Sequence, residues 1–348
     1  MLKKAIVLIF LCAGVAGWSG CGTTTSHFVY ATAPSTNQMI AFREDPNSGV
    51  LTTLPGSPFP AGNGAQMLVV HPSGKFMYVV NPGNNEDDVS LFTISSGGGL
   101  TEVTPRTAVG TLPRILLLDS AGNFLYVGNA GSNNISVFSV GSSGGLTAVS
   151  TVPLGFSPLD MQFTPSGSFL YVTGAGNLIA GYTVNSGALT LVAGPYQTGT
   201  TPSAIAIDPT SGFLYTANTL DSTISVFTIG ASGALSEVSG SPLADPTGPA
   251  ALLIDPSGKY LIAANQGSGN VSVYTITAGT GFPVAVTGSP FGATSPTSLA
   301  FDPNGKYMLV GNLASGIQVF TFDSSTGALN SLSTYGAGGN PSSIGVIQ

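Results

Sequence analysis

Charge is scarce in this chain. Only 7% of its 348 residues are Asp, Glu, Lys or Arg, and only two are His and two Cys. A basic patch of the kind that grips nucleic acid is therefore excluded, and a strongly anionic ligand finds few cations to hold it. Long apolar runs are also lacking beyond the N-terminus, so the mean hydropathy of +0.37 does not arise from spanning helices, which need ~20 apolar residues each. Nor does the pattern fit an outer-membrane barrel, whose strands of roughly ten residues alternate in polarity. Here stretches such as residues 115–118 are apolar at consecutive positions. What the chain does have is 48 Gly and 24 Pro. That implies many tight turns, and so short antiparallel strands rather than helices.

The N-terminus reads as an export signal. Lys3 and Lys4 precede an apolar stretch over residues 5–17, too short to span a bilayer but right for a signal core. Trp18-Ser19-Gly20-Cys21 resembles the lipobox of bacterial lipoproteins, in which the Cys is lipidated and becomes the new N-terminus. The expected organisation is a signal peptide over 1–20, a tether over 21–26 and one folded domain over 27–348, in the cell envelope, touching membrane only through Cys21. Cys12 leaves with the signal, so no intramolecular disulfide remains. Without Lys3 and Lys4 the net charge drops by two, from −7 to −9.

Self-similarity organises the rest. Pro recurs at 113, 158, 202, 249, 296 and 341, with spacings of 45, 44, 47, 47 and 45. Six residues after each of the first five comes a turn, as in Asp255-Pro256-Ser257-Gly258 and Asp302-Pro303-Asn304-Gly305, and His71-Pro72-Ser73-Gly74 is an earlier copy. Asp caps backbone N–H groups, Pro presets φ, and Gly takes the left-handed position. A second strand follows each turn and mostly ends on Asn (Asn81, Asn129, Asn218, Asn265, Asn312), then come a third strand and a more polar fourth. Four strands in about 46 residues is the arithmetic of a propeller blade. Doubly apolar inner strands suit sheets sandwiched between neighbours. The predicted fold is all-β, a seven-bladed β-propeller of four antiparallel strands per blade. Residues 28–54 open the chain without a first strand, and residues 341–348 supply one, so the seventh blade is composite and the ring has no open edge.

The Tyr-Val ending of the second strand (Tyr78-Val79-Val80-Asn81, Tyr126-Val127-Gly128-Asn129) resembles the YVTN-repeat propellers. The whole of 27–348 is similar to the seven-bladed lactonase family that includes 6-phosphogluconolactonase and cyclic muconate lactonizing enzyme. That resemblance implies His, Arg and acidic side chains around the central opening, with His just after the Pro that begins the inner strand. The matching positions here are Gln66, Arg114, Leu159, Ser203, Ala250, Thr297 and Ser342, none of them His. Arg114 is the residue able to polarise a lactone carbonyl, and Asp160 is the nearest base. Two readings stay open: hydrolysis or binding of a small, sugar-derived lactone, and a non-catalytic envelope propeller that binds a protein or glycan.

Other constellations point to structure. The Asn residues lie one strand outside the channel, too far apart to converge on Ca²⁺, and read as turn formers. Glu86-Asp87-Asp88 reads as a solvated acidic loop. His27 and His71 sit in adjacent blades and do not form a zinc pair or a triad with each other. No cofactor and no metal is expected.

Overall fold

The computed structural model describes residues 26–83, 86–210 and 212–348. The signal peptide, Cys21 and most of the expected tether lie outside the described residues. Among the described residues thirty-one strands form seven sheets arranged as blades, with almost no helix. The second blade is typical: Pro113–Leu118 lies innermost, then Phe124–Asn129, Asn134–Val140 and Leu146–Pro153 outward, each antiparallel to the last. In the seventh blade Ile344–Ile347 is innermost and pairs with His27–Ala33, with Phe28 opposite Ile347 and Ala31 opposite Ile344. Gln38–Glu44, Leu51–Thr53 and the short Phe59–Pro60, which also pairs with Gln38–Glu44, complete that sheet. The composite closure is thus present, with an inner strand shorter than the eight-residue segment that carries it.

Burial follows blade position. Second strands such as Phe124–Asn129 are buried on both faces, whereas the outer strand Leu146–Pro153 is almost wholly exposed. There is no single core. Seven apolar clusters occur, each joining two adjacent blades. At ~1.5–3 kcal/mol for each fully buried large side chain, the junctions between blades hold the ring together.

The Tyr of the second strand bolts one blade to the next. Tyr30 Oη donates to Gly98 O (2.8 Å), Tyr78 to Gly144 O, Tyr171 to Gly233 O and Tyr215 to Gly281 O. Each acceptor glycine belongs to the following blade. Gly98 has φ +83°, and a Cβ there would overlap the Phe28 ring, so the bolt needs Gly on two counts. In the fifth and sixth blades Tyr260 and Tyr307, two strand positions earlier and so on the same face, do the same with Ser325 O and Asn47 O. Tyr126 differs: its hydroxyl is buried without a partner among the described residues, and its ring meets Phe163 edge-on at 5.1 Å.

Two expectations are corrected. The strand-ending Asn residues are not turn formers: they are fully buried, and four of them donate Nδ2 across to third-strand hydroxyls, Asn81 to Ser90, Asn129 to Ser136, Asn218 to Ser225 and Asn265 to Ser272. Glycines of the incoming loops (Gly62, Gly110, Gly199) lie flat on these amides, leaving no room for a Cβ. In addition, three outer strands are split. At Ser57-Pro58, Ser241-Pro242 and Ser289-Pro290 the peptide is cis, and the Ser Oγ accepts the third-strand N–H of Ala41, Val226 or Val273. The hydroxyl takes the place of the carbonyl that a continuous strand would offer.

Candidate functional site

Every inner strand starts at the same end of the ring. The seven positions matched from sequence (Gln66, Arg114, Leu159, Ser203, Ala250, Thr297 and Ser342) all line one central cavity there, of about 400 Å³. Asp160 and Ser298 join them. Five of the inner strands begin on Pro (Pro113, Pro158, Pro202, Pro249 and Pro296), and the residue after it lines the cavity, as do Gln66 after Ala65 and Ser342 after Pro341.

Arg114 is exposed, and among the described residues nothing pairs with it. It does not form an ion pair with Asp160. Asp160 is half-buried and braced: Oδ1 accepts the Met161 N–H at 2.8 Å, and Oδ2 accepts the Ile205 N–H of the next blade at 2.8 Å. Burial pushes its carboxyl up to about 6, and the two N–H groups hold that rise in check. Each oxygen keeps a second lone pair, so the brace does not exhaust the carboxylate.

The hydroxyls of the mouth are spent between blades. Ser203 Oγ donates to Pro249 O (3.2 Å), Thr297 Oγ1 to Pro341 O (2.9 Å) and Ser342 Oγ to Gln66 O. None is activated by an imidazole. Ser298 Oγ, missed in the sequence, is buried at the cavity wall with no hydrogen-bond partner among the described residues. It stands two residues after Pro296, as Asp160 does after Pro158, but one more serine in a serine-rich chain carried no chemical signal.

The acidic loop is not a solvated cluster. Arg106, which the sequence reading did not single out, pairs with Glu86 (2.9 Å) and Glu102 (2.7 Å). Asp87 accepts the Leu112 N–H, and Asp88 accepts from Asn81. These carboxylates are consumed in fixing the rim. His71 lies at the opposite end of the ring, where Nδ1 meets Ser73 Oγ at 2.8 Å. His27 is also at that end, fully buried beside Glu44 and Asp302. The two histidines do not share a site.

A ring of seven four-stranded blades, closed by a composite blade and hollow where its inner strands begin, defines a propeller with a binding mouth at the hub. The chain matches the family described as Lactonase, 7-bladed beta-propeller, over residues 26–163, 150–247 and 239–346, and it belongs to that family. Among its relatives, the 6-phosphogluconolactonase of Sodalis glossinidius is 29% identical over 168 residues, covering 44% of this chain and 51% of that protein. The 6-phosphogluconolactonase of Formosa agariphila is 41% identical over 70 residues, 20% of each chain. The matches thus span from a fifth to about half the length of these relatives. Among solved structures, a candidate 6-phosphogluconolactonase of Bacteroides fragilis superposes with a TM-score of 0.83 at 22% identity, over 95% of this chain and all of that one. The periplasmic gluconolactonase of Pseudomonas aeruginosa gives 0.80 at 18%, over 93% of this chain and 99% of that one. At these identities the structures share the fold.

Proposed function

We propose that the hub cavity takes a small, unphosphorylated sugar lactone and opens its ring. The observation that carries this reading is the pairing, in one cavity of about 400 Å³, of a free guanidinium, Arg114, with a braced carboxylate whose pKa is about 6, Asp160. Arg114 supplies charge to the oxygen that becomes anionic when water adds to the lactone carbonyl. Asp160 takes the proton of that water, and a base with a pKa just under neutrality suits the task. The ring C–O bond then breaks, and the alkoxide recovers a proton to give the hydroxy acid. Among the described lining residues Arg114 is the sole cation, a poor complement to a phosphate dianion, which ordinarily recruits several donors. The absence of phosphate is thus part of the proposal. It also accords with a relative whose name specifies a gluconolactonase.

Acid release from glucono-δ-lactone and from its 6-phosphate, measured above the buffer rate, tests the reading. Arg114→Ala is expected to lower kcat/KM about 100-fold, the scale of losing one oxyanion donor. The rate should rise as pH passes through about 6, because only the ionised Asp160 acts as a base, and Asp160→Asn should remove that step. No release above buffer, or release indifferent to Arg114→Ala, would defeat the hydrolase. The spent hydroxyls of Ser203, Thr297 and Ser342 favour a second reading, binding without turnover. There the lactone would raise the melting temperature of the wild type but not of Arg114→Ala, with no acid released.

The proposal extends to location. Lys3, Lys4, the apolar run and Cys21 support export and lipid anchoring, and the Pseudomonas aeruginosa relative is named as periplasmic. Radiolabelled palmitate should enter the wild type and not Cys21→Ser; labelling of both would refute the anchor.

A further inference from the structure

The repeat is broken at one buried position. Where the third strand pairs back toward the start of the second, six blades carry Ile94, Val140, Val184, Ile229, Ile276 and Phe322, all apolar. The seventh carries Glu44, opposite His27, and buries it completely. The partner position differs too: His27 stands where other blades have Lys75, Asn123, Ser168, Gly212, Lys259 and Lys306. From the sixth blade, Asp302 brings its first-turn carboxylate to the same point.

The three side chains converge. His27 Nδ1 lies 3.3 Å from Glu44 Oε2 and 3.9 Å from Asp302 Oδ2, and one donor atom from each falls within 4.8 Å of the others. All three are at least 98% buried. Glu44 Oε1, at the same point, is buried with no hydrogen-bond partner among the described residues. The charges do not balance. Among the described residues neither Glu44 nor Asp302 pairs with Lys or Arg; Arg43 sits over the Phe28 ring, and Lys306 is bound to Asn47 O. Asp302 is capped by the N–H groups of Asn304, Lys306 and Tyr307, but Glu44 has only His27 beside it, and a buried carboxylate so poorly partnered is costly to ionise.

We propose that His27, Glu44 and Asp302 hold a divalent transition ion of the zinc type, at the junction between the sixth blade and the closing blade. The spacings approach the ~3.4 Å edge of a tetrahedron with bonds of about 2.1 Å, and one imidazole with two carboxylates is a donor set zinc accepts. Ca²⁺, which takes six to eight oxygens, is a poorer match. Glu44 also borders an outer cavity of about 160 Å³, lined by Ser26, Arg43 and Asp45 among others, just outside the buried cluster. On the far side of the imidazole, Asn304 lies 3.5 Å from Nε2. Turned so that Oδ1 faces the ring, it would accept the Nε2–H and fix the tautomer that ligates through Nδ1. The role is a staple: the ion joins the first strand of the folded domain to the blade before it. This inference does not depend on the lactone reading.

The test uses the full chain with Cys12 and Cys21 changed to Ser, so that no thiol competes. After chelator treatment and dialysis, zinc titration should show one tight site per chain and a rise in melting temperature on saturation. Glu44→Gln, neutral and of the same shape, should weaken that site at least tenfold, as should His27→Ala, while His71→Ala should retain it. Cobalt(II) in the unmutated site gives a second readout, a visible d–d absorption of four-coordinate strength that zinc displaces. The proposal fails if no stoichiometric site appears at micromolar free zinc. It fails equally if Glu44→Gln, shown folded by circular dichroism, binds as tightly, because the buried carboxylate would then hold only a proton.

Discussion

At the scale of single residues, the clearest device is the tyrosine bolt. Tyr215 Oη reaches Gly281 O at 2.7 Å inside a fully buried junction, so Tyr215→Phe strands a carbonyl that water cannot reach. Tyr126 is equally buried but its hydroxyl has no partner among the described residues, so its removal strands nothing. Chemical denaturation should therefore show Tyr215→Phe less stable by about 1–2 kcal/mol, with Tyr126→Phe within about 0.5 kcal/mol of the parent or above it. Equal losses at both positions would mean that the ring contacts, and not the hydroxyl, set the cost. The Tyr-Val motif that marked the family is thus a mechanical part, repeated because every junction poses the same packing problem. The motif marked the strand, yet it did not disclose the bond, whose acceptor lies more than sixty residues away in sequence.

At the scale of elements, the turns and inner strands were legible because local chemistry dictates them. Asp255 accepts from Ser257 and Tyr260 N–H, and Asp302 from Asn304, Lys306 and Tyr307 N–H, as a capping carboxylate at the first turn position should. The broken outer strands and the Asn clasps were not legible, since each depends on a partner strand whose register sequence alone does not supply. The closing strand makes a prediction of its own. Ile344–Ile347 gives the seventh blade its whole inner edge, and Ser342 and Ser343 exchange further hydrogen bonds with Thr32. Removing residues 341–348 should open the ring, lower the melting temperature by well over 10 °C and expose the chain to protease at sites remote from the C-terminus. A truncated protein that merely frays would retain the parental melting point.

At the scale of the whole molecule, the hub cavity was readable in outline, because seven equivalent positions must face one axis once seven equivalent strands surround it. Its chemistry was readable only in part. Arg114 and Asp160 do share the cavity, but the second hydrogen bond of Asp160 comes from Ile205, 45 residues on, and the short-range pattern contains no trace of it. The cluster of His27, Glu44 and Asp302 had a visible sign, a charged residue in an apolar column of the repeat, but it needed all seven blades laid side by side. His27 begins its strand at the end of the ring opposite Arg114, beside the Asp302 turn. In the lipid-anchored form proposed above, five residues separate Cys21 from that strand, a leash of roughly 20 Å at full stretch. The molecule would then stand on the bilayer like a cup on a short stem, base down and mouth toward the compartment. Solutes would reach Arg114 from the open side, with no headgroups in the way.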